Sequence, residues 1–275
     1  MVNQRLGEPR KKMATTFTIH SFKGGTGKTS LSINTAALLA KSGKNIAIFD
    51  FDFSGPSFTT RFNFENHKPK KYINDYIEEL ATLDEILVDI SPQLKTPGKF
   101  LVGYANPSTT AIQNIISKGR RWQMKAMERI LSAKRELQNA GIDFIAFDTS
   151  PGLHYSSLNA IVASDLVFIV VKLDISDFEG TISMLKGIHS ALEKKTWLIV
   201  NQVPVYNDLE ILMNSNHLQD IEEKFKDVID ENFGILGAIP CLCDVGLGKG
   251  EIIFALEQPD SPFVKSLEGM LTVLE

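Results

Sequence analysis

The segment HSFKGGTGKTSLS, residues 20–32, has glycines, lysines and hydroxyl side chains in an order suited to phosphate binding. Its three glycines allow a tight turn that presents backbone N–H groups to an anion. Lys28 can neutralise the charge of β- and γ-phosphates, and Thr29 offers a hydroxyl to a magnesium ion. The predicted phosphate-binding residues are Lys23, Gly24, Gly25, Thr26, Gly27, Lys28, Thr29 and Ser30.

One departure from the usual phosphate-loop pattern leaves an alternative open. Phe22 stands where the pattern G-x-x-x-x-G-K-[ST] has its first glycine. The stretch GTGKTS is also a partial dinucleotide-binding motif, with Asp50 placed where a ribose-binding acid would follow. Ser30 replaces the third glycine of that motif, whereas Lys28 and Thr29 supply charge and metal chemistry suited to a triphosphate. The pattern therefore favours a nucleoside triphosphate over a dinucleotide.

Three acidic residues follow apolar segments and are candidate partners of a magnesium ion or a water molecule. Asp50 and Asp52 lie in FDFDFSGPS, residues 49–57, at and just beyond the end of a predicted strand. Asp148 ends the apolar run FIAFD, and turn residues follow it. An acid at the end of a strand beside the phosphate loop is suited to hold magnesium. We therefore expect these acids to join the phosphate site.

Seven apolar segments rich in β-branched residues alternate with segments of helical periodicity. This alternation predicts one α/β domain with a mostly parallel sheet of about seven to eight strands and helices on both faces. Glycines at positions 43 and 141 are expected to end two helices. Residues 61–97 are expected to form an irregular excursion between strands. The predicted strands are 16–21, 45–50, 99–104, 143–148, 165–171, 196–201 and 235–240.

Composition and charge limit the class of protein. The 275 residues are 43% hydrophobic and 23% charged, with a net charge of −4. This balance argues against a surface built wholly for nucleic acid. No apolar run approaches the length of a membrane helix, and residues 1–14 are polar and basic rather than a secretory signal. We expect a cytoplasmic protein with a flexible tail over 1–14.

The segment KGGTGKT, residues 23–29, resembles the deviant Walker A loop, K-G-G-x-G-K-[ST], of the MinD/ParA ATPases. That pattern does not require the first glycine, which accounts for Phe22, and Lys23 is its defining residue. The resemblance extends from residue 16 to about 270, so that 15–275 are expected to be one P-loop NTPase domain. It implies an ATP-dependent homodimer in which Lys23 of each subunit reaches the phosphates of the other, much as an arginine finger does.

The resemblance also implies roles in hydrolysis. Asp50 and Asp148 would lie at the magnesium ion with Thr29, and Asp52 would position the attacking water. The residues predicted to act in the reaction are thus Lys23, Lys28 and Asp52, and the cofactors are ATP and Mg²⁺.

Further sites implied by the resemblance concern the base and the γ-phosphate. Asn201, in LIVNQVP, would pair with the adenine edge, and Pro240, in GAIPCLCD, would lie near the base. Pro151 and Gly152 would begin a segment that senses the γ-phosphate.

The sequence leaves the branch of the family open. Cys241 and Cys243 form a C-x-C pair, whereas iron–sulfur carriers of the Mrp type have C-x-x-C. Two thiolates from each subunit could still supply four ligands in a dimer. The C-terminal segment 261–275 has too few basic residues for a membrane anchor and is expected to be a core-packing helix.

A basic stretch, 118–135, is the candidate DNA-binding surface, with seven Lys and Arg against Glu128. The favoured interpretation is a solvated helix face. Its expected inward residues are Trp122, Met127, Ile130 and Leu131.

The hypothesis from the sequence is a slow, partner-stimulated ATPase whose ATP-bound dimer recruits or positions an activating or cargo protein, as in cell division or partition. The alternatives are an Mrp-like iron–sulfur cluster carrier and a non-enzymatic, nucleotide-dependent DNA-binding protein. No transmembrane segment is expected, and contact with DNA or a membrane surface is not favoured.

Overall fold

The computed structural model describes residues 13–62, 68–188, 194–204, 216–228, 231–241 and 253–274. These residues form one sheet in the order β3-β4-β2-β5-β1-β6-β7-β8, with every neighbouring pair parallel except β3 with β4. The predicted fold and all seven predicted strands are confirmed, and β3 is the strand that the patterns did not indicate. The strands are β1 (Thr15–His20), β2 (Ile46–Phe51), β3 (Leu87–Asp89), β4 (Phe100–Gly103), β5 (Phe144–Thr149), β6 (Leu166–Val171), β7 (Lys195–Val203) and β8 (Phe233–Pro240).

Helices cover both faces of this sheet, so its central strands are buried on both sides. Within β2, Ile46 and Ile48 face one apolar core while Ala47 and Phe49 face another. In the described part of the chain, no helix is long and apolar enough to span a membrane. The helices are α1 (Lys28–Lys41), α2 (Phe58–Arg61), α3 (Ile73–Ile77), α4 (Leu83–Ile86), α5 (Ser91–Leu94), α6 (Thr109–Ile116), α7 (Arg120–Asn139), α8 (Tyr155–Ala163), α9 (Ile175–Ile188), α10 (Asn216–Phe225), α11 (Phe254–Glu257) and α12 (Pro262–Leu274).

Two long helices end as their sequences predict. Gly43 follows α1 with φ +86°, and Gly141 follows α7 with φ +83°. This left-handed conformation suits glycine, which has no Cβ to clash with the backbone. The C-terminal segment forms α12, which buries Phe263, Leu267 and Met270 in the core as expected.

Helix α7 buries one apolar face, but one residue predicted to face inward does not. Trp122 and Ile130 are buried and Met127 is partly buried, whereas Leu131 is 36% exposed. Leu131 lies one residue beyond Ile130, so the helix turns it about 100° away from the buried stripe. Ala133 and Leu137 continue the inward face instead.

The basic side chains of this helix are largely committed to neighbours within the chain. Four of the seven cations between 118 and 135 have partners in ion pairs or over an aromatic ring, and Arg120, Arg121 and Arg135 are exposed. This arrangement supports a solvated helix face. The partnered cations are Lys118 with Glu78, Lys125 with Glu79, Lys134 with Asp165, and Arg129 over the ring of Tyr76.

The described part of the segment 61–97 contains α3, α4 and α5 together with the edge strand β3. The three residues of β3 pair antiparallel with β4, opposite Gly103, Val102 and Leu101. The short length and partial exposure of β3 explain why no strand pattern is visible in its sequence.

Candidate nucleotide-binding site

A glycine loop joins β1 to α1 at the carboxyl ends of the central parallel strands. Gly25 and Gly27 have φ of +72° and +92°, a conformation that few other residues adopt readily. A Cβ at Gly27 would also overlap the side-chain nitrogen of Asn201. The helix begins at Lys28, and its first-turn N–H groups, including that of Ser30, lack partners within the helix. Loop and helix together form an anion-binding geometry.

Lys28 lies inside the site rather than on its surface. It is only 7% exposed, and its Nζ donates a hydrogen bond to Ser21 Oγ at 2.9 Å. Burial lowers the pKa of Lys28, while the carboxylates of Asp148 and Asp52 oppose that shift. A buried ammonium is stable only near anionic or hydrogen-bonding groups, so this lysine is prepared to receive an anion.

Thr29 and Asp148 meet beneath the loop. Thr29 Oγ1 donates to Asp148 Oδ2 at 2.6 Å, and Ser32 Oγ donates to the other oxygen at 3.0 Å. Strands β1 and β5 pair with Ile19 opposite Asp148, which brings the acid to the loop. Burial raises the pKa of Asp148 to about 6, while hydrogen bonds from Thr29 and Ser32 and the charge of Lys28 oppose the rise.

The donor set at this position fits a magnesium ion that is bound together with phosphate. Carboxylate and hydroxyl oxygens are typical Mg²⁺ ligands, and Mg²⁺ usually takes few protein ligands beside phosphates and water. Within the described ranges, no three His, Cys, Asp or Glu side chains form a protein-only metal site. Thr29 and Asp148 would therefore hold the ion only with oxygens from the nucleotide and solvent.

Asp50 holds the turn that follows β2. It is fully buried; its Oδ2 accepts the N–H groups of Ser57 and Phe58 at 2.9 and 3.0 Å, and its Oδ1 accepts that of Asp52 at 3.1 Å. Burial and the nearby charge of Asp148 raise the pKa of Asp50 to about 8, and the hydrogen bonds from the N–H groups of Phe58 and Ser57 oppose that shift. The geometry gives Asp50 a positioning task, while its contact with magnesium stays a prediction.

Asp52 connects two loops at the edge of the site. Its Oδ1 accepts hydrogen bonds from Ser54 Oγ at 2.8 Å, from the N–H of Gly55 at 2.9 Å and from Ser150 Oγ at 2.8 Å. Ser150 belongs to the segment after β5. The predicted water-positioning acid is therefore hydrogen-bonded to the residue that directly precedes the predicted γ-phosphate-sensing segment, which begins at Pro151.

That sensing segment also contacts the phosphate loop directly. The N–H of Gly152 donates to the carbonyl of Ser21 at 2.8 Å, and Gly152 has a φ of +76°. Pro151 also lies against Gly24, because a Cβ built on Gly24 would be 3.9 Å from the ring of Pro151. A displacement of the loop would therefore also move the segment that contains Pro151 and Gly152.

Lys23 occupies the exposed rim of the loop. Its Nζ donates to Asp174 Oδ1 at 3.1 Å and to Ser176 Oγ, and both partners lie at or near the start of α9. Hydrogen bonds from Ser176 and Lys23 hold the pKa of Asp174 below its usual range. The side chains of Lys23 and Asp174 are 36% and 52% exposed, so solvent screens this pair.

Apolar side chains are exposed on loops and helix starts at the same edge of the sheet as Lys23. Phe22 lies over Gly180 of α9, because a Cβ built on Gly180 would overlap the ring of Phe22. Such exposed side chains on loops are candidates for an interface. The exposed apolar residues on the loops after β1, β5 and β6, and on the first turns of α8 and α9, are Phe22, Leu153, Tyr155, Leu173 and Ile175.

His20 lies buried beneath the loop. Its Nδ1 is 2.9 Å from Thr149 Oγ1, and that hydroxyl donates to the Ile19 carbonyl at 3.0 Å, so Nδ1 carries the proton. Burial and then the charge of Lys28 lower the pKa of His20 to about 3. His20 is therefore a neutral part of the floor of the site.

The residues predicted to contact the base lie together at another edge of the site. Asn201 is near the end of β7, Pro240 ends β8, and the two strands pair there with Val203 opposite Pro240. Asn201 Nδ2 donates to the carbonyl of Thr26 at 2.7 Å, which the sequence did not predict. Of the cysteines, Cys241 is exposed, and Cys243 lies outside the described residues.

Several residues of the site were not identified from the sequence. Ser32 and Ser150 lie within three residues of a motif residue, so a search for hydroxyl groups beside the motifs would have found them. Asp174 and Gln202 are separated from the loop by more than 140 positions, and no local signal indicates them. The missed residues are His20, Ser21, Ser32, Ser150, Asp174, Ser176 and Gln202.

Comparison with known proteins identifies the family of this chain. The family model described as "AAA domain" matches residues 14–202. The chain is 28% identical over 174 residues to the cell division protein PomZ of Myxococcus xanthus, covering 63% of this chain and 51% of PomZ. It is 25% identical over 226 residues to the septum site-determining protein MinD of Helicobacter pylori, covering 82% of this chain and 78% of that protein.

A solved structure gives the same fold. The MinD of Pyrococcus horikoshii in complex with Mg-ADP superposes with a TM-score of 0.70 at 17% identity, covering 96% of each chain. The chain spans between 51% and 63% of the length of the first curated relatives it matches. The family match over residues 14–202, the deviant loop and the shared fold lead to one assignment: the chain belongs to this family, in its MinD/ParA group of deviant Walker A ATPases.

Proposed function

We propose that this chain is a Mg-ATP-hydrolysing switch in the cytoplasm, whose ATP-bound homodimer recruits or positions a partner protein. The observation that carries the proposal is the convergence of Lys28, Thr29 and Asp148 under one glycine loop. A buried cation beside a hydroxyl–carboxylate pair is the arrangement that a magnesium-bound triphosphate requires. A dinucleotide without a γ-phosphate would not need it.

Nucleotide binding uses groups that are already in place. The N–H groups of the glycine loop and of the first turn of α1 donate to phosphate oxygens. Lys28 exchanges its bond to Ser21 for one to phosphate, which relieves the cost of its burial. Thr29 and Asp148 would hold a magnesium ion, and that ion would supply positive charge to the β- and γ-phosphates.

Hydrolysis requires a water molecule in line with the γ-phosphate. Asp52 is the candidate acid for this task, because Ser54, Gly55 and Ser150 fix one of its oxygens. Its second oxygen, Oδ2, takes no part in these bonds. Asp50 keeps the Asp52 turn in place through the backbone N–H groups that it accepts.

Dimerisation is the step that completes the site in this proposal. Lys23 leaves Asp174 and Ser176 and donates to the phosphates bound by the second subunit, where it stabilises the charge that develops on transfer. The exposed apolar rim around Lys23 supplies the surface that the two subunits bury. The occupancy of the nucleotide site then controls the assembly state, and the dimer is the form that a partner protein recognises.

The test combines binding, hydrolysis and size. The proposal expects Mg-ATP binding, slow phosphate release, and a monomer-to-dimer change with ATP that ADP does not cause, measured by calorimetry, phosphate assay and light scattering. Tight NAD(H) binding without ATP binding would overturn it. A pull-down with an ATP-trapped dimer, compared with the ADP form, would then identify the partner.

A further inference from the structure

Two consecutive residues at the end of β7 hold the phosphate loop from outside. Asn201 Nδ2 donates to the carbonyl of Thr26 at 2.7 Å, and Gln202 Nε2 donates to the carbonyl of Gly25 at 3.0 Å. Neighbouring residues of a regular strand point to opposite faces. Here both side chains reach one loop, because the pairing of β7 with β8 is irregular between Val200 and Val203.

The backbone at Gln202 is unusual in a way that serves this contact. Its φ is +56°, in the left-handed region that a residue with a side chain adopts only where the surroundings require it. Gln202 is otherwise exposed, so no core packing of its own side chain explains this conformation. The left-handed conformation of Gln202 makes its hydrogen bond to the loop possible.

The two bonds determine where the loop directs its N–H groups. In a planar trans peptide, the carbonyl and the N–H of the next residue point to opposite sides. Holding the carbonyls of Gly25 and Thr26 toward β7 therefore turns the N–H groups of Thr26 and Gly27 the other way, into the loop. Donation to a carbonyl also polarises the peptide and strengthens its N–H as a donor.

We infer that Gln202 is a positioning residue for the phosphate loop, which with Asn201 orients the loop N–H groups toward the phosphates. The inference rests on the proposed function as a nucleotide-binding protein. It gives Asn201 a second task beside its predicted base contact, since its Oδ1 and its second N–H are not used in the bond to Thr26. The irregular end of β7 thereby connects the base side of the site with its phosphate side.

The test removes the side chain while keeping the backbone. Glycine adopts the left-handed conformation readily, so Gln202→Gly should preserve the fold. The matched control is Gln258→Gly, at an exposed position. Calorimetry measures binding of Mg-ADP and of magnesium pyrophosphate, which has no base. We expect Gln202→Gly to weaken both ligands equally, by about two- to tenfold, with an unchanged control.

Two further measurements separate positioning from general destabilisation. Hydrogen exchange in the peptide covering 21–30 should become faster in ligand-free Gln202→Gly while the melting temperature stays within that of the control. Gln202→Asn, whose amide is one methylene too short, should show the same loss of binding.

Each other result contradicts the inference. Unchanged binding, unchanged exchange of the loop, or a loss confined to ADP would show that Gln202 does not orient the phosphate-binding groups. A wild-type protein that binds neither ligand would instead refute the proposed function itself.

Discussion

The inner floor of the site and its outer rim carry the two loop lysines in contrasting environments. Lys28 is buried, bonded to Ser21 at 2.9 Å and surrounded by the charges of Asp148 and Asp52. Lys23 is partly exposed and is held by Asp174, which is exposed. The floor consists of short bonds between buried groups, whereas the rim consists of a screened ion pair among apolar side chains.

This difference suggests a division of labour. Buried groups with fixed partners have little freedom, so they can bind a ligand with a low cost in ordering. An exposed ion pair contributes little to stability, so Lys23 can exchange its partner at low cost. The account therefore assigns binding to the floor and assembly to the rim, and each assignment predicts how substitutions should differ.

The largest expected effect is on hydrolysis, at the boundary between floor and rim. Asp52→Ala should keep Mg-ATP bound and lower kcat by about 10²- to 10⁴-fold, because positioning water matters in the transition state. Single-turnover phosphate release and calorimetry measure the two parts, with the exposed Asp260→Ala as control. Hydrolysis at the wild-type rate would mean that another residue holds the water.

On the floor, Lys28→Ala should weaken Mg-ATP binding on the order of a hundredfold, because a charge-assisted contact to phosphate is lost. Lys41→Ala, at the exposed end of the same helix, should bind normally. Titration with a fluorescent ATP analogue gives both affinities. Equal affinities for the two variants would remove Lys28 from the phosphate site.

The buried histidine tests the floor through pH. The unfolded chain binds a proton at His20 below the ordinary pKa of 6.5, whereas burial lowers the folded pKa to about 3. This group therefore destabilises the fold as pH falls below 6.5, by about 2 kcal/mol at pH 5. Relative to wild type, His20→Asn should gain that stability between pH 7 and 5 in urea unfolding, and exposed His154→Asn should not. A constant difference between His20→Asn and wild type across this range would show that His20 has the same pKa in the folded and the unfolded chain, which contradicts its burial as a neutral group.

The smallest effect concerns the rim pair. Asp174→Asn keeps the size of the side chain and weakens its hold on Lys23, so ATP-dependent dimerisation should become about two- to fivefold more favourable. Sedimentation at several protein concentrations measures the change, and Asp260→Asn is the matched control. A weaker dimer in Asp174→Asn would indicate that Asp174 supports the interface instead of holding Lys23 within the monomer.

The floor was the more predictable of the two regions. Doubly buried strands have continuous apolar sequences, and the glycine loop and Asp148 sit at strand ends, so local patterns placed them correctly in the fold. The turn after β2 shows where a pattern stops: the sequence places Asp50 and Asp52 at one strand end, but it does not show that Asp50 is buried in backbone hydrogen bonds while Asp52 reaches Ser150.

The Lys23 pair at the rim and the bond from Gln202 to the loop depend on contacts that a sequence does not display. Lys23 and Asp174 are 151 positions apart, and Gln202, whose φ is positive, is 177 positions from Gly25. Leu131 was placed on the wrong side of α7 because an apolar residue beside Ile130 is ambiguous within one helical turn. In each case tertiary geometry, rather than residue type, decides the contact.

The most direct test of the account asks whether Lys23 acts across the dimer. On an Asp52→Ala background, which should trap ATP, light scattering compares the dimer equilibrium with and without Lys23→Ala. The account predicts unchanged ATP binding by the monomer and a dimer weakened about ten- to a hundredfold, because a charge-assisted contact made only in the dimer is lost. A double variant that dimerises as well as Asp52→Ala alone would contradict the account and leave Lys23 as a cation of its own loop.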